Sequence, residues 1–226
     1  MKQGFTLLEL SIVLVIIGLI IGGITVGADM IRSAELNSVV TDVNKYKTAL
    51  NTFRLKYNAL AGDHKNAEAY WGTETVAGGA GTINGNQDGI ITQSEGMRAW
   101  EQMALSGIIS GDYYGSNTWD GTLINNNAIP KSKIAGTGFA FAAGDGTLTQ
   151  AYNIKGNRII FLGMSPWPKS LTPVEAESLD TKADDGKANT GKIIGVTAPY
   201  YTTCSTSGTY TLSNENKDCY LNFKID

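Results

Sequence analysis

The sequence predicts an α+β protein in which one long amino-terminal helix packs on an antiparallel sheet. A helical pattern runs without a proline from about Phe5 to Tyr57. Short runs rich in β-branched and aromatic residues follow from residue 138 onward, and the two cysteines, Cys204 and Cys219, lie close together near the end of the chain. One helical region followed by a group of strands is typical of α+β folds.

The first part of the helical pattern, residues 5–28, reads FTLLELSIVLVIIGLIIGGITVGA and holds a single charged side chain, Glu9. A helix rises ~1.5 Å per residue, so this segment is long enough to cross the ~30 Å hydrocarbon core of a bilayer. The preceding residues include Lys2, and a basic flank normally stays in the cytoplasm. An ionised carboxylate in such a segment is unfavourable unless it is paired. We therefore expect Glu9 to have a partner.

The second part of the pattern, from residue 29 to about Tyr57, is apolar on one face only. Its apolar residues are spaced alternately by three and four positions, which predicts an amphipathic helix that packs against another element. A coiled coil is the alternative, but the aromatic residues in the stripe favour burial on a sheet. The stripe consists of Leu36, Val39, Val43, Tyr46, Leu50, Phe53 and Tyr57.

Beyond the long helix, the pattern predicts three helices and a series of strands. Ser94 is expected to cap a helix that ends near Gly107, and TPVE at 172–175 predicts a helix with a capping box. Asp63 is expected to cap a short helix toward Tyr70. Short gaps between the runs 138–144, 148–154 and 157–164 favour an antiparallel meander. The predicted strands are 138–144, 148–154, 157–164, 193–198 and 220–225.

The composition argues against several classes of function. The formal net charge is −3 at pH 7, which provides no broad attraction for nucleic acid. No nucleophile, paired-histidine or metal-protease motif is present, and His64 is the only histidine. GKANTGK at 186–192 lacks the Ser or Thr and the preceding strand that a phosphate loop requires. The sequence therefore does not predict an enzyme or a nucleic-acid-binding protein.

Residues 84–95, NGNQDGIITQSE, match the spacing of an EF-hand calcium loop. Oxygen-bearing side chains occupy the first, third and fifth places, a glycine occupies the sharp turn, and a glutamate closes the loop. The first place holds Asn instead of the usual Asp, so only modest calcium affinity is expected. An Asn/Gly turn that binds no metal is the alternative. The predicted ligands are Asn84, Asn86, Asp88, the carbonyl of Ile90, Thr92 and Glu95.

Two further groups of residues have a predicted role near the carboxyl end. In an exported domain, Cys204 and Cys219 are expected to form a disulfide, which would stabilise the fold by ~3 kcal/mol in the chain-entropy model. Two free thiols in a reducing compartment are the alternative. Asp180, Asp184 and Asp185 allow a second cation site, but a solvated helix end followed by a turn is the favoured interpretation.

The amino terminus resembles that of type IV pilins and of the pseudopilins of type II secretion systems. The resemblance rests on MKQG followed by FTLLEL and an apolar helix. It implies that a prepilin peptidase cleaves after Gly4 and methylates the new amine of Phe5. It also implies that Glu9 neutralises the amine of a neighbouring subunit during assembly. A pilin-like fold, in which a disulfide closes a carboxyl-terminal loop, agrees with the Cys204 and Cys219 pair.

This resemblance implies a structural subunit of a type IV pilus, or alternatively a secretion pseudopilin. The leader would occupy residues 1–4, the membrane and assembly helix residues 5–28, and the pilin-like domain residues 29–226. The expected partners are copies of the chain, related pilins, prepilin peptidase and the inner-membrane assembly machinery. The precursor would lie in the bacterial inner membrane, and the product in an extracellular pilus or periplasmic pseudopilus. Adhesion or protein secretion would belong to the fibre.

Other readings of the amino terminus remain open at this point. A secretory signal peptide would be cut near Ala28, although the apolar run is long for one. A plain single-span anchor could tolerate Glu9 beside the positive end of the helix dipole. Either reading would leave an anchored or exported binding module or enzyme. Calcium binding favours a pseudopilin, since some of these bind calcium, whereas the Gly- and Asn-rich loops favour a surface-displayed pilin.

Overall fold

A computed structural model describes residues 6–73, 83–115, 123–124, 127–143, 156–163, 170–197 and 204–225. It shows the predicted α+β fold, with a long amino-terminal helix on an antiparallel sheet. The helices are α1 (Leu7–Tyr57), α2 (Ala67–Trp71), α3 (Gln93–Leu105) and α4 (Pro173–Ala183). The strands are β1 (Thr137–Ala143), β2 (Asn157–Gly163), β3 (Ile193–Thr197), β4 (Ser205–Thr206), β5 (Thr209–Tyr210) and β6 (Cys219–Lys224).

Helix α1 is continuous over 51 residues, including the glycine pair Gly22 and Gly23. Thr6 is its N-cap, and the helix ends where Asn58 adopts a left-handed conformation with φ 52°. The Asn58 N–H donates to the carbonyl of Arg54 at 2.9 Å. Such a left-handed residue is a common way to end a helix. The predicted helix is confirmed from Leu7 to Tyr57, and Phe5 lies outside the described residues.

The two halves of α1 differ sharply in burial. Apolar side chains between Leu7 and Ile31 are exposed, and no residue of the most apolar window is buried. From Leu36 onward one face is buried, including Val39 and Leu50, which are both 0% exposed. The predicted stripe is confirmed in its buried members, and Tyr57 is partly buried against the core. The same helix therefore has one half with no cover in the monomer and one half that belongs to the core.

The main sheet has the strand order β1-β2-β6-β3, with antiparallel pairs throughout. Phe161 of β2 pairs with Phe139 on one side and Leu221 on the other. The predicted antiparallel pairing is confirmed, but the predicted meander would place 148–154 between β1 and β2, and these two strands pair directly with each other. Strand β6 lies between β2 and β3. Short gaps indicate antiparallel connections, and they do not determine which strands become neighbours. The predicted strand 148–154 lies outside the described residues.

An aromatic cluster joins α1, α3 and the sheet. The Tyr46 ring meets Phe139 of β1 at 5.3 Å and Trp100 of α3 at 4.7 Å between centroids. Trp100 also stacks on Phe141 at 4.3 Å. At Gly96, a Cβ atom would collide with the Phe141 carbonyl oxygen, so glycine allows α3 to approach β1 closely. These contacts place α1 and α3 on the same face of the sheet.

Helix α4 is tied to α1 just where the exposed half of α1 ends. The guanidinium of Arg32 donates from Nε to Oε1 of Glu175 at 2.7 Å and from Nη1 to Oε2 of Glu35 at 3.0 Å. Glu175 also accepts the N–H of Thr172, so the predicted capping box of α4 is confirmed. Burial alone would raise the pKa of Glu175, but the bonds from Arg32 and Thr172 hold it below its ordinary value. Because the ionised form is favoured, the link persists at neutral pH.

Cys204 and Cys219 form the predicted disulfide, with their Cα atoms 5.0 Å apart. The loop that it closes contains the β4-β5 hairpin. At the other end of the bridge, the carbonyl of Cys219 accepts the N–H groups of Ser170 and Leu171. The disulfide therefore joins the hairpin to β6 and to the segment that leads into α4.

Candidate functional site

The carboxylate of Glu9 takes part in the cap of α1. Its Oε2 atom accepts the Thr6 N–H at 2.8 Å and the Thr6 hydroxyl at 2.8 Å, while the Glu9 N–H donates to Thr6 Oγ1 at 3.2 Å. Both bonds to the carboxylate end on Oε2, and no described residue donates to Oε1. The side chain can therefore cap its own helix and still accept a bond from another molecule. Gly4 and Phe5, the predicted processing residues, lie outside the described residues.

The apolar half of α1 presents a continuous exposed surface. Leu7 is 90% exposed and Leu19 is 79% exposed, and the helix contains a window with a mean hydropathy of 2.7. Length and composition make this part of α1 able to cross a membrane. An exposed apolar surface of this extent normally contacts a membrane or other proteins. It is the largest uncovered apolar feature among the described residues.

In the predicted calcium loop, the side-chain oxygens accept hydrogen bonds from nearby N–H groups. Asn84 Oδ1 accepts the Glu68 N–H at 3.0 Å. Asn86 Oδ1 accepts the Asp88 N–H at 3.1 Å, and Asp88 Oδ1 accepts the Ile90 N–H at 2.8 Å. Bonds from residue i+2 to an Asn or Asp side chain are those of Asx turns. Each of these oxygens therefore has one lone pair engaged in stabilising the loop.

The closing residue of the predicted calcium loop, Glu95, is engaged at the start of α3. Its Oε2 atom accepts the Thr92 N–H at 2.9 Å and the Thr92 hydroxyl at 2.6 Å. Thr92 is thus the N-cap of α3, and the prediction that Ser94 caps this helix was wrong. A glutamate at the third helical position favours Thr92, because the pair forms reciprocal capping contacts. Calcium ligation by Glu95 stays a prediction.

Asp63 organises this loop, although the sequence predicts a different role for it. It is 1% exposed, and its two oxygens accept the N–H groups of Asp88 at 3.2 Å and Gly89 at 2.8 Å. Its expected role as cap of α2 was wrong, since Asn66 precedes that helix. Burial raises the pKa of Asp63, and the neighbouring charge of Glu95 acts in the same direction. By accepting two backbone N–H groups, this carboxylate stabilises the turn of the loop.

Asn157, the first residue of β2, fixes the same loop to the sheet. Its Nδ2 donates to the Gly89 carbonyl at 2.9 Å, and its Oδ1 accepts the Ile91 N–H at 2.7 Å. A backbone segment held by both ends of one amide has a defined position relative to the strand. The sequence does not reveal this contact, because an Asn before a strand has many other uses.

Comparison with known proteins gives one match, and it covers the start of the chain. A family model described as the prokaryotic N-terminal methylation motif matches residues 1–25. This is the region in which Glu9 and the exposed apolar surface of α1 lie. The chain carries the type IV pilin and pseudopilin signature. No curated protein and no solved structure matches the chain.

The pilin signature accounts for the amino-terminal features described above. It implies processing by a prepilin peptidase and assembly into a filament, and the apolar helix fits a membrane-anchored precursor. It points to a structural subunit rather than an enzyme. It does not distinguish a pilus subunit from a secretion pseudopilin. The resemblance inferred from MKQG and FTLLEL is confirmed.

Three aspartates of this pilin-signature protein meet at the end of α4. Oxygen atoms of Asp180, Asp184 and Asp185 lie within 4.8 Å of one another. Asp180 accepts the Tyr210 hydroxyl at 2.8 Å, which links α4 to the disulfide loop. Asp184 accepts the N–H groups of Lys192 and Ile193, and Asp185 accepts the Lys187 N–H at 2.9 Å and the Thr190 hydroxyl at 2.5 Å. These bonds give the carboxylates a structural role in the turn before β3.

We expect Asp180 to make stability depend on pH. Burial raises the pKa of Asp180 to about 6, above its ordinary 3.8. The folded state then binds the proton more tightly, so the contribution of this group to stability falls as pH rises through about 6. Between pH 5 and pH 7 the change should be about 1 kcal/mol. The free energy of unfolding, measured by urea unfolding of the full chain in detergent, should fall by this amount from pH 5 to pH 7 in the unmutated protein. In Asp180→Asn this part of the fall should be absent.

Asp185→Asn is the matched control for this prediction. Asp185 is exposed, and the Thr190 hydroxyl holds its pKa below the ordinary value. Any stability that it contributes is lost only in more acidic solution, as pH falls through its folded-state pKa. The charge of Asp185 is a minor cause of the raised pKa of Asp180, so its substitution should leave most of the pH dependence between pH 5 and pH 7 in place. A pH-independent difference for Asp180→Asn would contradict the prediction.

His64 packs in a cluster of aromatic rings and has no catalytic partner among the described residues. It is 5% exposed, and its Nδ1 accepts the Asn66 N–H at 3.1 Å. The rings around it have centroids between 5.1 and 6.5 Å from that of the imidazole, and they belong to Phe53, Tyr57, Tyr70 and Trp71. Burial lowers the pKa of His64, so the neutral ring is favoured. This environment is that of a packing residue.

Proposed function

We propose that this protein is a structural subunit of a filament of the type IV pilus class, assembled through α1. The observation that carries the proposal is the amino-terminal half of α1. It combines the methylation motif, an exposed apolar surface from Leu7 to Ile31 and a single acid, Glu9, within residues 5–28. A soluble monomer would leave this surface in water. A membrane covers it before assembly, and neighbouring helices cover it in a filament.

The proposed assembly mechanism begins with cleavage after Gly4 and methylation of the Phe5 amine. The amine remains positively charged when it carries one methyl group. Glu9 Oε1 has no donor among the described residues, so it is available to accept a bond from the amine of the next subunit. The pairing is strong because apolar helices exclude water around it and lower the local dielectric constant. Registration of the two charges would also set the stagger between subunits.

The carboxyl-terminal domain would stay outside the helical bundle. The ion pair of Arg32 and Glu175 lies at the boundary between this domain and the exposed half of α1, because the buried face of α1 begins just after Arg32. The disulfide-closed loop and the pocket described below lie in this domain. Adhesion, or the displacement of a secreted cargo, would depend on surfaces of the domain after assembly.

Cell fractionation tests this proposal and separates its two forms. A pilus subunit should be recovered in filaments sheared from the cell surface. A type II secretion pseudopilin should remain with the cell envelope, and deletion of its gene should block the export of secreted enzymes. Recovery of the protein only as a free periplasmic monomer would contradict both forms.

Calcium binding to the loop 84–95 remains a secondary proposal. We expect weak affinity, in the range on the order of 10⁻⁴ to 10⁻³ M, because only Asp88 and Glu95 supply charge among the predicted ligands. Titration calorimetry on the full chain in detergent measures it. Glu95→Gln is the informative variant, since glutamine keeps the α3 cap but removes the charge. It should abolish the calcium heat.

The calcium proposal has a clear contrary outcome. If the unmutated chain releases or absorbs no heat with calcium, the loop is the hydrogen-bonded turn that Asp63 stabilises. Ser94→Ala serves as a control, because Ser94 lies in the same segment and is not a predicted ligand. Its calcium heat should equal that of the unmutated chain.

A further inference from the structure

A pocket of about 490 Å³ opens between the end of α1, the loop that Asp63 holds and the start of β2. Its volume lies in the range of small-molecule sites. The polar residues around it include Asn51, Arg54 and Asn58 from the last turns of α1. Leu50, Leu60 and Ile225 supply apolar contacts. The pilin signature does not include these residues, and the proposed filament assembly does not use them.

The wall of this pocket is held in place by contacts already described. Asp63 accepts two backbone N–H groups of the loop, and Asn157 holds the loop to β2. Gln87 donates from Nε2 to the Asn58 carbonyl at 3.3 Å. Both Asn58 and Gln87 have positive φ angles, of 52° and 59°. A non-glycine residue in this conformation is unfavourable unless surrounding contacts maintain it.

Three side chains of the pocket retain their hydrogen-bonding capacity. The Arg54 guanidinium and the side-chain amides of Asn51 and Asn58 have no hydrogen-bond or ion-pair partner among the described residues. They lie at positions i, i+3 and i+7 of the helix end, so they are neighbours on one face. Together they offer several donors and two amide acceptors. A ligand that both donates and accepts hydrogen bonds would satisfy them.

The charges around the pocket limit the class of ligand. An anion would meet Arg54 but also the carboxylates of Asp63 and Asp88. A cation would meet these carboxylates but also the like charge of Arg54. A neutral polyhydroxylated molecule avoids both conflicts, because each hydroxyl can donate to a carboxylate or amide oxygen and accept from Arg54. The apolar side chains suit the C–H face of a sugar ring.

We propose that this pocket binds a neutral saccharide, with Arg54, Asn51 and Asn58 as its hydrogen-bonding residues. The proposal is independent of filament assembly and can hold or fail on its own. Affinity should be weak, because no aromatic ring lines the pocket among the described residues.

Saturation-transfer NMR titration on the full chain tests the proposal. The protein is kept in dodecylphosphocholine, since a maltoside detergent would present sugar to the pocket. The probes are glucose, galactose, N-acetylglucosamine and maltose. At least one should bind saturably, and Arg54→Ala should weaken it roughly tenfold, as expected for loss of charge-assisted hydrogen bonds.

Two further variants make the result specific to the pocket. Asn58→Gly removes the amide but keeps the left-handed conformation, which glycine adopts readily. It should also weaken binding. Thr52→Ala lies on the same helix outside this pocket and should leave binding unchanged. The proposal is overturned if no neutral probe gives saturable binding or if both pocket variants bind normally. It is also overturned if galacturonate, the anionic counterpart of galactose, binds more tightly than galactose, because the pocket would then be an anion site.

Discussion

Glu9→Ala is expected to exclude the protein from filaments almost completely. The substitution removes the one carboxylate within residues 5–28 and, in the proposed filament, would leave the neighbouring subunit's amine buried without a partner. Removing one partner of a buried ion pair is strongly destabilising, so incorporation should fall at least roughly a hundredfold. The measurement is the amount of protein in sheared filaments relative to the amount in the membrane. Normal incorporation would show that Glu9 does not have this role.

Two other variants separate the charge of Glu9 from its contacts with Thr6. Glu9→Gln retains a side chain that can cap the helix but removes the charge. It should fail nearly as completely as the alanine variant. Thr6→Ala removes the cap and keeps the charge, at a cost of about 1 kcal/mol to the helix. It should assemble nearly normally. If instead Thr6→Ala fails and Glu9→Gln assembles, the carboxylate acts through helix capping alone.

Trp100→Ala should cause the largest loss of stability among single substitutions in the domain. Trp100 is 0% exposed and contacts rings from both α1 and β1, namely Tyr46 and Phe141. Replacing a buried tryptophan with alanine typically costs 3–5 kcal/mol, about the value expected here. Urea unfolding followed by circular dichroism of the full chain measures it. A loss below about 1 kcal/mol would mean that this cluster does not hold α1 to the sheet.

Trp100→Phe provides the matched comparison. The indole Nε1 is buried and has no hydrogen-bond partner among the described residues, so its removal forfeits no bond to them. Phenylalanine keeps most of the ring contacts, and the loss should stay below about 1.5 kcal/mol. Leu55→Ala is the surface control, since Leu55 is 88% exposed. Its effect should lie within about 0.5 kcal/mol.

Elements with a long or repeated pattern could be predicted from the sequence, whereas their tertiary neighbours could not. The stripe from Leu36 to Tyr57 repeats often enough to define a helix and its buried face. The bounds of β1 and β2 follow from compact apolar runs next to turn residues. By contrast, Arg32 and Glu175 lie 143 positions apart, and no local pattern connects them. The entry of β6 beside β2 is a long-range choice of the same kind.

The loop 84–95 illustrates a different limit. Calcium loops and Asx turns both use short oxygen-bearing side chains at alternate positions, because both must bring an oxygen close to the backbone two residues on. Asn86 and Asp88 make such turn bonds here. Asp63 contacts the loop from a segment some 25 positions earlier. The pattern therefore predicts a compact loop, but it does not show whether a calcium ion or the carboxylate of Asp63 organises that loop.

The most direct test of filament assembly is the chemical identity of the mature amino terminus. Protein purified from its native membrane or filaments is examined by intact-mass spectrometry and amino-terminal sequencing. The account predicts a chain that begins at Phe5, with one methyl group on its amine. A chain that retains Met1 through Gly4, or one that begins just after Ala28, would contradict it.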